Sequence, residues 1–176
     1  MNHPTLQFCK HALWLIAFML LSAASLHAAT VTAKVFSVAG TVEFAGPGSS
    51  SYASLKKGDI LPIGSTVRTG DDGVAVIITT GKSAIQVGNS SVVKINKLAF
   101  AKSGGAVTEN TANLQLTSGV VSALIDPSTP KVTDFQVQTS QGAAAARGTF
   151  YAVLVYHGKT YIGCKEGHVA VRTAGQ

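Results

Sequence analysis

Apolar residues recur along this chain at a steady step of eight or nine residues, and glycine-containing turns lie between them. The positions are Val67, Val76, Ile85 and Val93, followed by Val137, Ala145, Val153, Ile162 and Val171. Segments such as 41–44 alternate polar and apolar side chains, which is typical of half-buried strands. The pattern predicts an all-β fold, either a roll or a β-solenoid-like stack of short strands, with a β-sandwich as the alternative. The spacing alone does not choose between solenoid rungs and a meander.

Two segments rich in breaker residues predict surface loops, at 103–111 and at 126–130. The prolines of the second segment cannot donate to an inner ladder. These loops separate a front block that ends near Phe100, a middle hairpin at Leu114–Ile125 and a rear block that begins at Val132. We expect all three to belong to a single domain of residues 29–176, a length that can build its own core.

The first 28 residues predict a helical signal peptide. Lys10 and His11 precede an uncharged apolar run over residues 12–24, and small residues follow, with Ala28 at a suitable cleavage position. The run is short for a membrane span, which takes about 20 residues. A retained membrane anchor stays open as an alternative. We therefore predict an extracytoplasmic protein, either periplasmic or secreted, with no transmembrane span after cleavage.

Charge and cysteine content exclude several classes of protein. The formal net charge is +6, but the basic residues are scattered and not interleaved with aromatic ones, so we predict no nucleic-acid partner. Weak attraction to anionic envelope polymers is compatible with this surface. Of the two cysteines, Cys9 lies in the predicted signal peptide, so Cys164 has no partner for an internal disulfide.

Three motifs follow one another along the chain. The first comprises Gly58, Asp59, Gly64, Thr69, Gly70, Asp72 and Gly73; the second, at 138–150, includes Arg147, Gly148 and Thr149; and the third, at 166–171, begins with Glu166 and Gly167. Together they resemble the signature of the FecR-type domain, a periplasmic domain of the bacterial envelope named for the ferric-citrate regulator. Ser140 stands where that family usually has proline. We predict that the signature residues serve the structure.

No motif in the chain predicts catalysis or a cofactor. Residues 80–83 (TGKS) mimic the end of a phosphate-binding loop, but the earlier glycine and the following helix are missing. Asp71 and Asp72 have no third carboxylate nearby for calcium and predict a turn instead. Residues 54–57 match Ser-x-x-Lys only formally, because the region is rich in turns. We predict neither an enzyme nor a metal site.

The soft metal ligands of the rear block are His157, Cys164 and His168. If 151–156 and 159–164 form a hairpin, His157 lies at its turn and far from Cys164, so a metal site would need another strand to bring His168 close. We expect Cys164 to lie in the core or to be semi-buried, and the histidines to be exposed.

Two further hypotheses concern binding. Arg147 could pair with a carboxylate of a partner or of the domain itself, and we favour the internal pair. Aromatic residues could form a sugar-binding patch, although core packing explains them as well. These residues are Phe44, Tyr52, Tyr151, Tyr156 and Tyr161.

The resemblance implies action by protein–protein contact, in a family that relays the state of an outer-membrane transporter to a sigma factor. Its signalling members carry a cytoplasmic segment before the membrane span, whereas only residues 1–11 precede the apolar run here, so sigma-factor regulation is not carried over. We predict a non-enzymatic envelope protein that acts as an interaction or scaffolding module for an unidentified envelope protein. The alternatives are a carbohydrate- or peptidoglycan-binding module, with a cell-wall polymer as partner, and a periplasmic component of a FecR-like system.

Overall fold

The computed structural model describes residues 31–174, and the predicted signal peptide lies outside them. The described part consists of strands and turns, without a helix, which confirms the all-β prediction. The strands are β1 (Ala33–Ala39), β2 (Val42–Ala45), β3 (Ala53–Ser54), β4 (Ile60–Leu61), β5 (Thr66–Thr69), β6 (Val74–Ile78), β7 (Ala84–Val87), β8 (Val92–Ser103), β9 (Ala106–Leu124), β10 (Thr133–Thr139), β11 (Gly142–Ala146), β12 (Phe150–Tyr156), β13 (Lys159–Glu166) and β14 (Val169–Thr173). Within residues 31–174, no helical segment has the length and apolar character that a membrane crossing requires.

The strands form two layers that share β9. The first layer has the order β4-β1-β6-β7-β9-β12-β13, and the second has the order β3-β2-β5-β8-β9-β10-β11-β14. Every neighbouring pair is antiparallel except β9 and β10, which run parallel. Hairpins occur in both layers, with β6–β7 and β12–β13 in the first and β8–β9 and β10–β11 in the second. Antiparallel pairing of this kind fits a roll, whereas a β-helical solenoid stacks parallel strands.

The crossing of β9 from one layer to the other takes place at Gly119. Residues 106–118 of this strand pair with β8, and residues 119–124 pair with β12. Gly119 has a φ of +81°, and a Cβ atom there would lie 2.5 Å from the Cα of Ser91 and 2.6 Å from the carbonyl oxygen of Ser90. Only glycine fits this backbone conformation and this close approach.

Two local predictions were wrong. Leu114–Ile125 is not a hairpin, since β9 runs without reversal through Leu124. A single glycine at positive φ, Gly119, lets the strand bend and continue instead of reversing. Residues 103–111 are not a long loop either, because Gly104 and Gly105 alone make the turn between β8 and β9. The second predicted loop, at 126–130, is confirmed between β9 and β10.

The nine recurring apolar positions all fall within strands, namely β5 to β8 and β10 to β14. The core lies between the layers, where Leu114, Leu116, Phe135 and Tyr151 are at most 1% exposed. Burial of each such aliphatic or phenyl side chain stabilises the fold by about 1.5–3 kcal/mol. Residues from Val31 onward form one compact unit. The cleavage position before this unit stays a prediction.

The two lateral ends of the roll differ. At one end, the layers finish in β3 and β4, which have two residues each. At the other end they finish in β13, with eight residues, and β14, with five. Among the described residues 31–174, each of these two long strands pairs with one strand only, β13 with β12 and β14 with β11.

Candidate functional site

The first signature motif organises the turn that follows β5. The N–H of Gly70 donates to the carbonyl oxygen of Thr41 at 2.8 Å, and the N–H of Thr41 donates to Oδ1 of Asp72 at 3.1 Å. This hydrogen bond lowers the pKa of the Asp72 carboxyl, because it stabilises the charged form. Gly73 packs directly on the Thr41 carbonyl and leaves no room for a Cβ atom. The turn predicted at Asp71 and Asp72 is present.

Thr69 of the same motif is buried and joins β5 to the start of β8. Its hydroxyl donates to the carbonyl oxygen of Gly88 at 2.6 Å and accepts the N–H of Ser91 at 2.9 Å. Nearby, Gly64 has a φ of +92°, and its N–H donates to the carbonyl oxygen of Ile95 at 2.7 Å. These contacts hold β5 against β8.

The remaining pair of the first motif, Gly58 and Asp59, forms the turn before β4. Gly58 has a φ of +93°, and its N–H donates to the carbonyl oxygen of Val35 at 2.9 Å. The carboxylate of Asp59 accepts the N–H of Lys56 at 2.8 Å. The turn is thereby fixed against β1.

The second and third motifs meet in the structure. The hydroxyl of buried Thr149 donates to the carbonyl oxygen of His168 at 3.3 Å. Gly167, with a φ of +82°, approaches this hydroxyl so closely that a Cβ atom would lie 3.0 Å from it, and a Cβ atom on Gly148 would lie 2.7 Å from the Cα of Pro127. Glu166 stands opposite Phe150 in the β12–β13 ladder. From these contacts we propose that the signature residues are structural.

Arg147 departs from this set. Its side chain is exposed, and within residues 31–174 it forms no salt bridge, since the pair present there joins Arg68 to Glu43 at 2.7 Å. The favoured internal pair for Arg147 is therefore not formed.

The candidate metal ligands do not converge. His157 occupies the turn between β12 and β13, whereas Cys164 stands opposite Tyr151 at the far end of the same hairpin. At 3.3 Å per residue, roughly 20 Å separate the two positions. No group of three His, Cys, Asp or Glu residues in the described part of the chain could hold a metal ion. The prediction that Cys164 lies in the core or is semi-buried was wrong, because the residue is exposed.

The aromatic side chains do not form one patch. Tyr151 lies in the core, where burial raises the pKa of its hydroxyl. Tyr52 lies under the guanidinium of Arg68, 3.8 Å from ring centroid to Cζ. Tyr156 and Tyr161 are exposed on the first layer. These two lie on neighbouring strands of one hairpin, but Tyr52 and Tyr151 lie elsewhere and Phe44 packs against the core. The five aromatic residues therefore do not form one surface.

The open end of the roll, formed by β13 and β14, has the features of a binding site. A cleft of about 110 Å³ lies between the layers there. Its apolar lining includes Val137, Ala144, Val153, Ile162 and Val171. Val171 is 59% exposed although it stands opposite buried Ala144 in the ladder, so the core is left uncovered at this point.

Polar contacts close one corner of this cleft. The hydroxyl groups of Thr139 and Thr160 lie 2.9 Å apart and join the two layers. The side chain of Gln141 accepts the N–H of Thr160 at 2.8 Å. Sequence reasoning missed the open end, because alternation marks a strand but does not show whether both of its edges are paired.

The fold and the open end define an all-β roll in which β13 and β14 each leave one edge unpaired within the described part of the chain. The family profile described as FecR protein matches residues 65–170, more than half of the chain, and the protein belongs to the FecR family. The resemblance seen in the three motifs is thus confirmed. Comparison with curated proteins and with solved structures gave no match. Family membership supports a signalling-related role in the bacterial envelope, and FecR is not a known family of enzymes.

Proposed function

We propose that this protein is a non-enzymatic interaction module of the bacterial envelope that binds a partner protein at β13 and β14. The observation that carries the proposal is the difference between the two ends of the roll. A long unpaired edge presents backbone N–H and C=O groups that pair readily with another chain, and proteins commonly blunt such edges with very short strands. This chain does so at β3 and β4 but not at β13 and β14.

The cleft between the edges supports the same proposal. An extended partner segment that pairs with β14 could place every second side chain over Val171 and Ile162, which line the cleft. Backbone hydrogen bonds would supply affinity, and the cleft would select the alternate apolar side chains of the partner. The predicted signal peptide and the FecR family membership are consistent with an envelope partner.

The test compares two lysine substitutions on one strand. Val171→Lys places an ammonium group in the cleft, whereas Ala170→Lys places it on the outer face of the same strand, opposite Ala145. Capture of envelope proteins by the exported full chain is measured at roughly 0.3 M salt, where weak basic contacts are screened. The wild type and Ala170→Lys are expected to retain the same partner, and Val171→Lys is expected to lose it. A partner retained by folded Val171→Lys would refute binding at this edge.

A second candidate function is cell-wall polymer binding, and a groove on the outer face of the second layer favours it. The groove has a volume of about 480 Å³ and is lined by Gln115, Gln136, Gln138 and Arg172 above small alanines. Amide groups offer both donors and acceptors for sugar hydroxyls. Sedimentation with isolated cell-wall sacculi tests this candidate. If Gln136→Ala no longer co-sediments with sacculi while Val171→Lys still does, polymer binding is assigned to this groove.

A further inference from the structure

A second surface, away from the open end, combines exposed apolar side chains with lysines. It lies on the outer face of the first layer, where β4, β1 and β6 are neighbours. Phe36 is 57% exposed, Ile60 52% and Ile78 37%. Lys34 stands between the two isoleucines, opposite Ile60 in one ladder and Ile78 in the other. We call these four residues, together with Lys57, the basic apolar patch.

The outer face of a two-layer antiparallel fold is normally polar, because water covers it. The second layer follows this rule, with Lys94, Lys97 and Gln138 pointing outward. The patch breaks the rule with three large apolar side chains on adjacent strands. Burial of such side chains against a partner is favourable by about 25 cal/mol per Å² of apolar surface.

The charge of the patch is positive and lacks a local counterion. The ammonium group of Lys57 lies 6.0 Å from the ring centroid of Phe36, beside a concavity of about 460 Å³ that no carboxylate lines. The nearest acidic residue in sequence, Asp59, binds the backbone N–H of Lys56 instead. Neither patch lysine forms a salt bridge within residues 31–174.

We propose that the basic apolar patch docks on a membrane surface that contains anionic phospholipids. Phe36 and Ile60 would enter the headgroup region, and Lys34 and Lys57 would contact lipid phosphates, the pairing that anchors amphipathic surfaces to membranes. A second copy of this chain does not complement the patch, because it would bring the same lysines face to face.

A protein partner fits the patch less well than a membrane does. Protein interfaces carry about one hydrogen bond per 100–200 Å², and the patch contains no side-chain acceptor. Its two-residue strand β4 also offers almost no ladder for a partner strand. The exposed apolar side chains and the lysine ammonium groups of the patch instead complement a membrane, which carries negative charge spread over its surface and has an apolar interior.

The experiment places one tryptophan in the patch of the full chain. Trp14, the single tryptophan of the sequence, is replaced by Phe in every protein, and Phe36→Trp is compared with Phe100→Trp. Phe100 serves as the control because a lysine, Lys102, also lies over its ring at 5.6 Å, whereas Phe100 itself is half-buried and belongs to the second layer. Emission is recorded with vesicles of phosphatidylglycerol and of phosphatidylcholine, with and without brominated acyl chains.

With phosphatidylglycerol, Phe36→Trp is expected to shift to shorter wavelength and to be quenched by bromine, while Phe100→Trp does neither. Lys34→Gln and Lys57→Gln should each lower the partition coefficient about fivefold, since one lysine near an anionic surface contributes about 1 kcal/mol. The emission wavelength and the bromine quenching both report on the immediate surroundings of the single tryptophan. The test therefore stays valid even if the N-terminal segment is retained as an anchor. The proposal is overturned if both tryptophans respond alike, if neither responds, or if Phe36→Trp responds to phosphatidylcholine as strongly as to phosphatidylglycerol.

Discussion

The backbone N–H of Thr41 donates to the carboxylate of Asp72 at 3.1 Å, across 31 positions of sequence. The bond ties the β1–β2 turn to the β5–β6 turn. Because it lowers the pKa of Asp72 below 3.8, the charged form contributes stability that is complete above the unfolded pKa and is lost as the pH falls through the folded pKa.

Asp72→Asn keeps the oxygen acceptor and removes the charge, so we expect it to be less stable than the wild type at pH 7 and equally stable near pH 2. Urea unfolding at both pH values measures the difference. Asp71→Asn is the control, because no hydrogen bond to its side chain is present among the described residues. An Asp72→Asn deficit that persists unchanged at pH 2 would show that charge is not the cause.

Gly119→Ala is expected to destabilise the protein by about 2–5 kcal/mol. Left-handed backbone costs about 1–2 kcal/mol for a residue with a Cβ atom, and the overlap with Ser91 adds about 1–3 kcal/mol. Gly163→Ala in β13 is the matched control, since a Cβ atom there meets nothing within 4 Å. Thermal unfolding of the two variants checks the prediction, and equal shifts in Tm would contradict it.

Two leucines of β9 should respond differently to truncation. Leu114 is fully buried, so Leu114→Ala leaves a cavity and is expected to cost about 2–5 kcal/mol. Leu124 is 58% exposed on the outer face, and Leu124→Ala should cost less than about 1 kcal/mol. The free energy of unfolding in urea measures both. A large loss for Leu124→Ala would indicate that something covers this face in solution.

Tyr151 predicts a loss of stability at alkaline pH. Burial raises the pKa of its hydroxyl above the ordinary value of 10.0, so above that pH the unfolded chain loses a proton that the folded chain keeps. Stability then falls by up to about 1.4 kcal/mol per pH unit.

Tyr151→Phe removes this loss, together with a long hydrogen bond to the carbonyl oxygen of Ala144 at 3.4 Å. We expect the variant to be slightly less stable than the wild type at pH 7 and to lose less stability by pH 11. Stability that falls equally steeply with pH in the two proteins would contradict the assignment to Tyr151. Such a shared loss would come from other groups, such as the lysines, which titrate in both proteins.

Much of the rear block could be predicted from sequence. Val137 and Val153 mark strands because a period of two is a local property, and the turn at His157 and Gly158 needs only residues that accept positive φ. The middle of the chain could not be predicted in this way. Gly119 has the same local signature in a turn as in a strand that bends, and only contact with Ser91 distinguishes the two.

The candidate sites show the same division. The motifs from Gly58 to Gly167 predicted the family, because a turn glycine or a capping aspartate is required by its immediate backbone. That Val171 and Ile162 would share an open cleft, or that Phe36 and Ile60 would share an uncovered face, follows from which strands become neighbours.

The sequence by itself determined the strand class, most strand positions and the FecR membership, since these depend on side-chain alternation and turn chemistry within a few residues. The tertiary structure decided the layer order, the crossing of β9 and the free edges at β13 and β14. Pairing between distant strands depends on register and on the shared burial of a core, and neither is a property of any single segment.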